Sequence, residues 1–170
     1  HRVKAHEAGC AFLKNACKVS VPAADIVITS NGGYPLDQNI YQSVKGMTAG
    51  EAVCREGGVI ILAASCSDGH GGNAFYKVLS ECESAQALLD SIADIPRDKT
   101  TPDQWQYQIL ARILAKYNVI IVTTDCDHEM IRQMKMMAAN SIDEALAMAK
   151  EFVGDNATIA VIPDGVSVIV

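Results

Sequence analysis

A group of polar side chains that could bind a small anion lies in one short segment: Gln38, Tyr41, Gln42 and Lys45. At about 100° per residue, a helix from roughly Leu36 to Met47 would bring them to one side. Two amides, a phenol and an ammonium can hold an anion through charge-assisted hydrogen bonds. A lone lysine on a helix is also commonly just solvated, so the interpretation depends on the elements around it.

The segment follows a glycine turn, Ser30–Pro35, which itself follows an apolar run. The two glycines allow a tight turn, and Pro35 suits the first turn of a helix. The turn could hold an anion at the helix N-terminus, or Asn-Gly-Gly could simply be a turn. It lacks the full glycine fingerprint of a dinucleotide site and the Gly-Lys-Ser/Thr of a P-loop. The candidate cleft residues in it are Asn31, Gly32 and Gly33.

Short apolar runs alternate with helical patterns along the chain. Strands are predicted at 25–30, 59–64, 119–123, 157–162 and, last and short, 166–170. Helices are predicted at 1–20, 36–47, 49–55, 73–80, 84–93, 101–117, 128–138 and 141–153, the one at 49–55 being capped by Thr48. This alternation predicts one α/β domain with three layers, a mainly parallel sheet of about four to five strands and helices on both faces, Rossmann-like and doubly wound.

Ligands of such sheets bind at the carboxyl ends of the strands. Loops 30–35, 65–72 and 124–128 should meet there, which makes Asp68 and His70 further candidate cleft residues. The only tryptophan, Trp105, lies in the first turn of the helix that leads into the third strand, so it should lie at the same edge. An alternative is that Trp105 belongs to the core, because it shares a helical face with Ile109 and Ile113.

Cysteine and histidine side chains also occur at strand ends, so a zinc site or a zinc hydrolase built on Cys66, His70, Cys126 and His128 is conceivable. Their spacing matches no standard pattern, and we predict no metal site. No nucleophile–base pair and no general base stand out. The candidate site is therefore incomplete in this sequence.

Composition narrows the class of protein. The 170 residues carry a net charge of −6 with no basic stripe, which argues against nucleic acid as a partner. No apolar run reaches the ~18 residues that span a membrane, and no signal peptide stands at the start. The six scattered cysteines suggest buried thiols in a cytoplasmic protein. The chain opens at His1 in helical sequence, so we expect a fragment of a longer protein.

Three motifs carry a resemblance to a known family. The segment Ser30–Gly46, the Glu51-Ala52-Val53 before a Gly-Gly strand, and Asp68–Gly72 together resemble the C-terminal domain of the nickel-dependent lactate racemase family. The resemblance extends over most of the chain and is specific mainly at the first motif. It implies an enzyme, a racemase or epimerase of 2-hydroxy acids, with two α/β domains and its active site in the cleft between them. Residues 1–170 would be the substrate-side domain, and the N-terminal cofactor domain is absent.

The resemblance also implies a cofactor and a reaction. The cofactor is a nickel pincer nucleotide (pyridinium-3,5-bisthiocarboxylic acid mononucleotide nickel), which is bound mainly by the N-terminal domain. That domain supplies the tethering lysine, the catalytic histidines and the nickel ligand, so this chain alone should be inactive. Hydride transfer from the substrate α-carbon, through a 2-keto acid, would invert the centre.

Roles follow for the matching residues of this chain. The resemblance implies that Gln42 and Lys45 bind the carboxylate and oxygens of the 2-hydroxy acid and count as catalytic residues. Tyr41 would line the same wall, and Trp105 would lie close to cofactor and substrate. Partners would be the 2-hydroxy acid and the N-terminal domain; the particular acid and the oligomeric state stay unassigned. A different class of function, a non-catalytic small-anion or nucleotide-binding module, remains open.

Overall fold

The computed structural model describes residues 1–170 and contains one five-stranded parallel sheet. The strands are β1 (Ala24–Ser30), β2 (Cys54–Ala63), β3 (Asn118–Val122), β4 (Met137–Ala139) and β5 (Ile159–Ile162). Their order across the sheet is β4-β3-β2-β1-β5, and every neighbouring pair is parallel. The predicted α/β fold class and strand number are confirmed.

Helices cover both faces of this sheet. They are α1 (Arg2–Cys17), α2 (Ile40–Val53), α3 (Asn73–Glu81), α4 (Ala85–Ala93), α5 (Gln104–Leu114), α6 (His128–Gln133) and α7 (Ile142–Val153). The larger core lies between one face and helices α2 to α6, and a smaller one lies under α7 on the other face. Helix α1 buries none of its residues. No helix here combines the length and apolarity needed to cross a bilayer.

The start of α2 differs from the prediction. The helix begins at Ile40 and not at Leu36, because Asn39 has extended backbone and its side chain accepts a hydrogen bond from the Gln42 N–H at 2.9 Å. An asparagine is a strong N-cap. Residues before it form a turn in which Leu36 N and Asp37 N both donate to Gly33 O. Leu36 is therefore exposed and not part of the buried face.

The separate helix predicted at 49–55 does not exist. Thr48 does not cap a new helix, because its hydroxyl donates to Lys45 O at 2.6 Å inside the continuing α2. Its expected capping partner Glu51 instead accepts from Arg112 at 2.6 Å. The glycines expected to end that helix lie inside β2, where the pairing with β1 shifts register between Ala24 and Ile26.

Two other elements were predicted wrongly. The helix expected at 128–138 ends at Gln133, since Lys135 has left-handed backbone (φ 66°) and the chain then forms β4. The last strand expected at Val166–Val170 is reduced to a single bridge between Lys18 and Ile169. There the Asp164 carboxylate holds a turn by accepting from Val166 N at 3.1 Å and Ser167 Oγ at 2.5 Å.

Candidate functional site

The crevice where the sheet order reverses is closed by the chain itself. β1 and β5 are neighbours, and ligands of doubly wound sheets commonly bind beyond the carboxyl ends of such a pair. Here Ser30 Oγ donates to Pro163 O at 2.5 Å, and Gly165 N donates to Ser30 O at 3.1 Å. A Cβ atom on Gly32 would meet Val166 at 3.1 Å. The open surface is therefore on the side of α2 and α5.

The N-terminus of α2 cannot act as an anion site, contrary to one interpretation of the glycine turn. Ile40 N donates to Gly69 O at 3.0 Å, and Tyr41 N donates to His70 O at 3.2 Å. The next two amides, of Gln42 and Ser43, donate to the side chain and carbonyl of Asn39. The Ser43 bond is the first bond inside the helix, and the amides of Ile40, Tyr41 and Gln42, which the helix itself leaves free, are satisfied by other groups of the protein. An anion here must be bound by side chains.

Asn31 is buried and structural. Its side-chain oxygen accepts from Gly46 N at 2.8 Å, and its amide donates to Gln42 O at 3.2 Å and to Leu36 O. Gly32 and Gly33 adopt positive φ values of 75° and 77°, which explains their residue type. These three cleft candidates place α2 on the sheet and offer no free polar side-chain group to a ligand.

Asp68 and His70 lie in the loop after β2, against the start of α2. Asp68 Oδ2 accepts from the Asn39 amide at 3.5 Å, and its N–H donates to Gln38 O at 2.8 Å. His70 Nδ1 accepts from Gly72 N at 3.0 Å, and its ring stacks on Tyr76 at 5.0 Å. The loop therefore supports α2. Gln38, expected on the helix face, lies in the turn before the helix, where its carbonyl accepts the bond from Asp68 N.

Gln42 and Lys45 form the polar pair predicted from their spacing. They lie three residues apart on α2, where side chains face each other. Lys45 Nζ donates to Gln42 Oε1 at 2.5 Å, Gln42 is half-buried and Lys45 is exposed. Lys45 forms no ion pair with a carboxylate of the chain, and the side chain of Gln42 bonds only to Lys45. The ammonium is therefore available for an anion.

Tyr41 forms the wall beside this pair. Its ring meets Phe75 edge-on at 5.2 Å and Trp105 edge-on at 6.1 Å. Its hydroxyl donates to Asp103 Oδ1 at 2.8 Å, and its carbonyl accepts from the Gln106 amide. Burial, and then the Asp103 carboxylate, raise the pKa of Tyr41 above its usual value. The phenol thus stays protonated at neutral pH.

Trp105 lies at the carboxyl edge and not in the core, which settles the alternative left open by its spacing. It is 54% exposed, whereas Ile113 of the same predicted face is fully buried. It borders a cleft with Thr100, Thr101, Gln104 and Gln108. A flat, exposed indole beside Tyr41 can stack on a planar ligand.

Two contact residues, Asp103 and Gln106, were missed from the sequence. They are separated from Tyr41 by 62 and 65 positions, and side-chain contacts over such distances leave no local pattern. The only signal was that Thr-Pro-Asp-Gln begins a helix at the same edge as α2. By itself, that pattern predicts only the start of a helix.

The strand-end thiols and imidazoles do not assemble into a metal site. No group of three histidine, cysteine or acidic side chains is placed to hold an ion, which counts against a zinc hydrolase. Burial raises the pKa of the Cys66 thiol to about 12, and the His128 ring contacts Thr123 O at 2.9 Å. All six cysteines are free, but Cys10 is exposed and not buried as expected.

Comparisons with known proteins find relatives that match nearly the whole chain. The family model described as lactate racemase C-terminal domain matches residues 19–170. Lactate racemase of Thermoanaerobacterium thermosaccharolyticum is 55% identical over 170 residues, and that of Lactiplantibacillus plantarum is 49% identical over 166 residues. The match covers 100% and 98% of this chain, which spans only 40% and 39% of the length of these relatives.

A solved structure of a relative has the same fold as this chain. The lactate racemase apoprotein from Thermoanaerobacterium thermosaccharolyticum superposes with a TM-score of 0.94 at 55% identity, over 99% of this chain and 40% of that one. Both the sequence and the fold match over nearly the whole chain. The chain therefore belongs to the lactate racemase C-terminal domain family.

Proposed function

We propose that this chain is the substrate-side domain of a nickel-pincer-dependent racemase or epimerase of 2-hydroxy acids, lactate or a related acid. The observation that carries the proposal is the Gln42–Lys45 pair, an unpaired ammonium held by an amide at the carboxyl edge of the sheet. The family membership supports the activity, and the chain's 40% share of its relatives' length supports a second domain that completes the cleft.

Lys45 and Gln42 would bind the substrate through its carboxylate. An ammonium on a carboxylate is a charge-assisted hydrogen bond, and it strengthens when water is excluded from a closed cleft. The Gln42 amide can rotate so that its nitrogen donates to a second substrate oxygen. Tyr41 and Trp105 would then form the apolar wall that orients the α-carbon. These contacts bind and orient the substrate, and no proton transfer is required of them.

The residues of this chain fit one side of the nickel pincer nucleotide. They supply no cluster of metal ligands, so in this proposal the metal is held from the other domain. The exposed Trp105 indole offers a flat surface suited to a pyridinium ring. The chemistry that the group supplies when bound is reversible acceptance of the substrate's α-hydrogen as a hydride, through a 2-keto acid. We also propose a cytoplasmic location, which the six unpaired cysteines support.

The test is a lysine substitution in the full-length, cofactor-loaded protein that contains this chain. Lys45→Ala should reduce kcat/KM for the interconversion of L- and D-lactate by about 100-fold or more, the order expected when a charged hydrogen bond to substrate is lost. Lys150→Ala, on the exposed side of α7 and on the opposite face of the sheet, should leave kcat/KM unchanged. Circular dichroism would verify that both variants keep their fold.

Two results would contradict the proposal. Normal turnover by Lys45→Ala would remove Lys45 from the site. Absence of racemisation of any 2-hydroxy acid by the wild-type protein, combined with tight nucleotide binding by this chain in calorimetry, would favour the binding-module alternative. The satisfied amides of Ile40, Tyr41 and Gln42 count against that alternative, because they are not available to a phosphate at the start of α2.

A further inference from the structure

Asp103 connects the two helices that carry the candidate site. It precedes α5 directly, and its carboxylate accepts the hydrogen bond from Tyr41 Oη on α2 at 2.8 Å. Trp105 follows two residues later, and its ring meets the Tyr41 ring at 6.1 Å. The Asp103 side chain thus links Tyr41 to α5, the helix that carries Trp105.

The backbone of Asp103 is unusual for a residue with a side chain. Its φ is 61° and its ψ is 10°, in the left-handed region. Glycine occupies this region most readily, and asparagine and aspartate are the side chains that tolerate it best. Asp103 does not cap α5 with its side chain, so the usual reason for an aspartate at this position is absent. The carboxylate points instead to Tyr41.

The segment that holds Asp103 is itself fixed. Thr101 N donates to Gln104 Oε1 at 3.2 Å, and Thr101 Oγ1 contacts Tyr107 Oη at 2.6 Å. Gln106, one turn further along, donates its amide to the Tyr41 carbonyl. Tyr41 is therefore bonded through its backbone carbonyl to α5 and through its hydroxyl to Asp103, and the contacts of Thr101 hold the segment that carries the Asp103 carboxylate.

We infer that Asp103 is a positioning residue of the racemase site, which acts by holding the Tyr41 ring against Trp105. Because the single phenol proton is donated to Asp103, Tyr41 contributes its ring and not that proton to a substrate. The inference rests on the proposed function for its consequence in catalysis. The contact itself is a property of the fold and can be tested separately.

Two substitutions of Asp103 separate the acceptor from the backbone. Asp103→Asn keeps both an acceptor oxygen and tolerance of positive φ, whereas Asp103→Gly keeps the backbone and removes the acceptor. In the full-length, cofactor-loaded protein, we expect Asp103→Gly to lower kcat/KM by about tenfold or more, mainly through kcat, because the Lys45 contact is untouched. Asp103→Asn should stay within about threefold of wild type. Asp155→Gly, in an exposed loop, is the matched control.

A double-mutant cycle tests whether the effect passes through the phenol. Tyr41→Phe removes the donor, so the double variant Tyr41→Phe/Asp103→Gly should lose no more kcat/KM than the worse single variant. Losses that multiply would show independent roles and would overturn the inference. Unchanged kcat/KM in Asp103→Gly would overturn it as well.

A titration of Tyr41 gives a readout that does not depend on activity. The phenol would be followed by NMR of carbon-13-labelled tyrosine and assigned by its loss in Tyr41→Phe. Both Asp103 variants should lower the pKa of Tyr41 relative to wild type, because the negative charge is removed. An unchanged Tyr41 titration would overturn the inference even if activity fell. If both Asp103 variants lower the pKa of Tyr41 but the wild-type protein has no racemase activity, the contact is retained and the proposed function is contradicted.

Discussion

Asn31 lies in the turn before α2 and Lys45 lies in the second turn of that helix, and their side chains have opposite surroundings. Asn31 is fully buried and makes three hydrogen bonds to backbone groups, whereas Lys45 is exposed and meets only Gln42. A buried polar group that satisfies backbone partners is a structural residue. An exposed cation on a well-fixed helix is free to bind a ligand. Residue type alone did not distinguish these roles.

Replacement of Asn31 tests the structural role. Asn31→Ala should lower the free energy of unfolding by about 2–4 kcal/mol, because it removes the hydrogen bonds of a buried side chain to the Gly46 amide and to the Leu36 and Gln42 carbonyls. The control Asn156→Ala, in an exposed loop, should change it by less than about 0.5 kcal/mol. Urea denaturation of the two variants measures both. Equal effects of the two substitutions would refute the assignment.

At the scale of elements, the apolar runs predicted four of the five strands, and the signal is strongest in the central strands β2 and β3, whose apolar residues are continuously buried. The three-residue β4 was missed, since so short an edge strand carries almost no pattern. The predicted start of α2 at Leu36 is wrong, because the Asn39 cap and not Pro35 determines where the helix begins. The ends of helices and strands depend on single competing hydrogen bonds, so the sequence predicts these ends less accurately than it predicts the elements themselves.

The candidate site follows the same rule. Gln42 and Lys45 could be paired from the sequence, because three residues along a helix fix their geometry. Trp105 could be placed at the carboxyl edge from the order of elements, but its exposure could not. The contact of Tyr41 with Asp103 joins helices 62 residues apart, and only the packed fold reveals it.

The packing of α2 on β1 makes a prediction at this scale. A Cβ atom on Gly46 would lie 2.6 Å from Ser30 O and 3.0 Å from Leu62 Cδ1, so Gly46→Ala should push the helix from the sheet. We expect a loss of about 1–3 kcal/mol in the free energy of unfolding. Gly9→Ala in α1, where nothing lies within 4 Å, should be neutral or slightly stabilising. Thermal denaturation would compare them, and a Gly46→Ala variant as stable as wild type would contradict the packing.

At the scale of the whole molecule, the carboxyl and amino edges of the sheet have different roles. The carboxyl edge carries the candidate site, and at the amino edge Asp25, at the start of β1, makes contacts with neighbouring strands. Its carboxylate accepts from Thr158 N at 2.8 Å, Thr158 Oγ1 at 2.6 Å and Arg55 at 2.7 Å. These contacts connect the beginnings of β1 and β2 with the residue before β5. Stability of the sheet should therefore depend on the ionisation of one carboxylate.

The Asp25 contacts predict a pH dependence. The Thr158 hydroxyl first, then the Thr158 amide and Arg55, hold the pKa of Asp25 far below its usual value. A depressed folded-state pKa contributes stability that is fully present above the unfolded pKa of about 3.9 and is lost as the pH falls towards the folded pKa. Asp25→Asn should therefore destabilise the protein at pH 7 and do so less at about pH 3. Urea denaturation at both pH values measures the difference, and a constant difference would exclude this mechanism.

The proposed function depends most on where the substrate carboxylate binds. A crystal structure of the full-length protein with its cofactor and a bound 2-hydroxy acid would measure this directly. We expect the carboxylate within about 2.7–2.9 Å of Lys45 Nζ, the length of a charge-assisted hydrogen bond, with Gln42 turned to a second substrate oxygen. A structure in which Lys45 still donates to Gln42 while the carboxylate binds elsewhere would contradict the central claim.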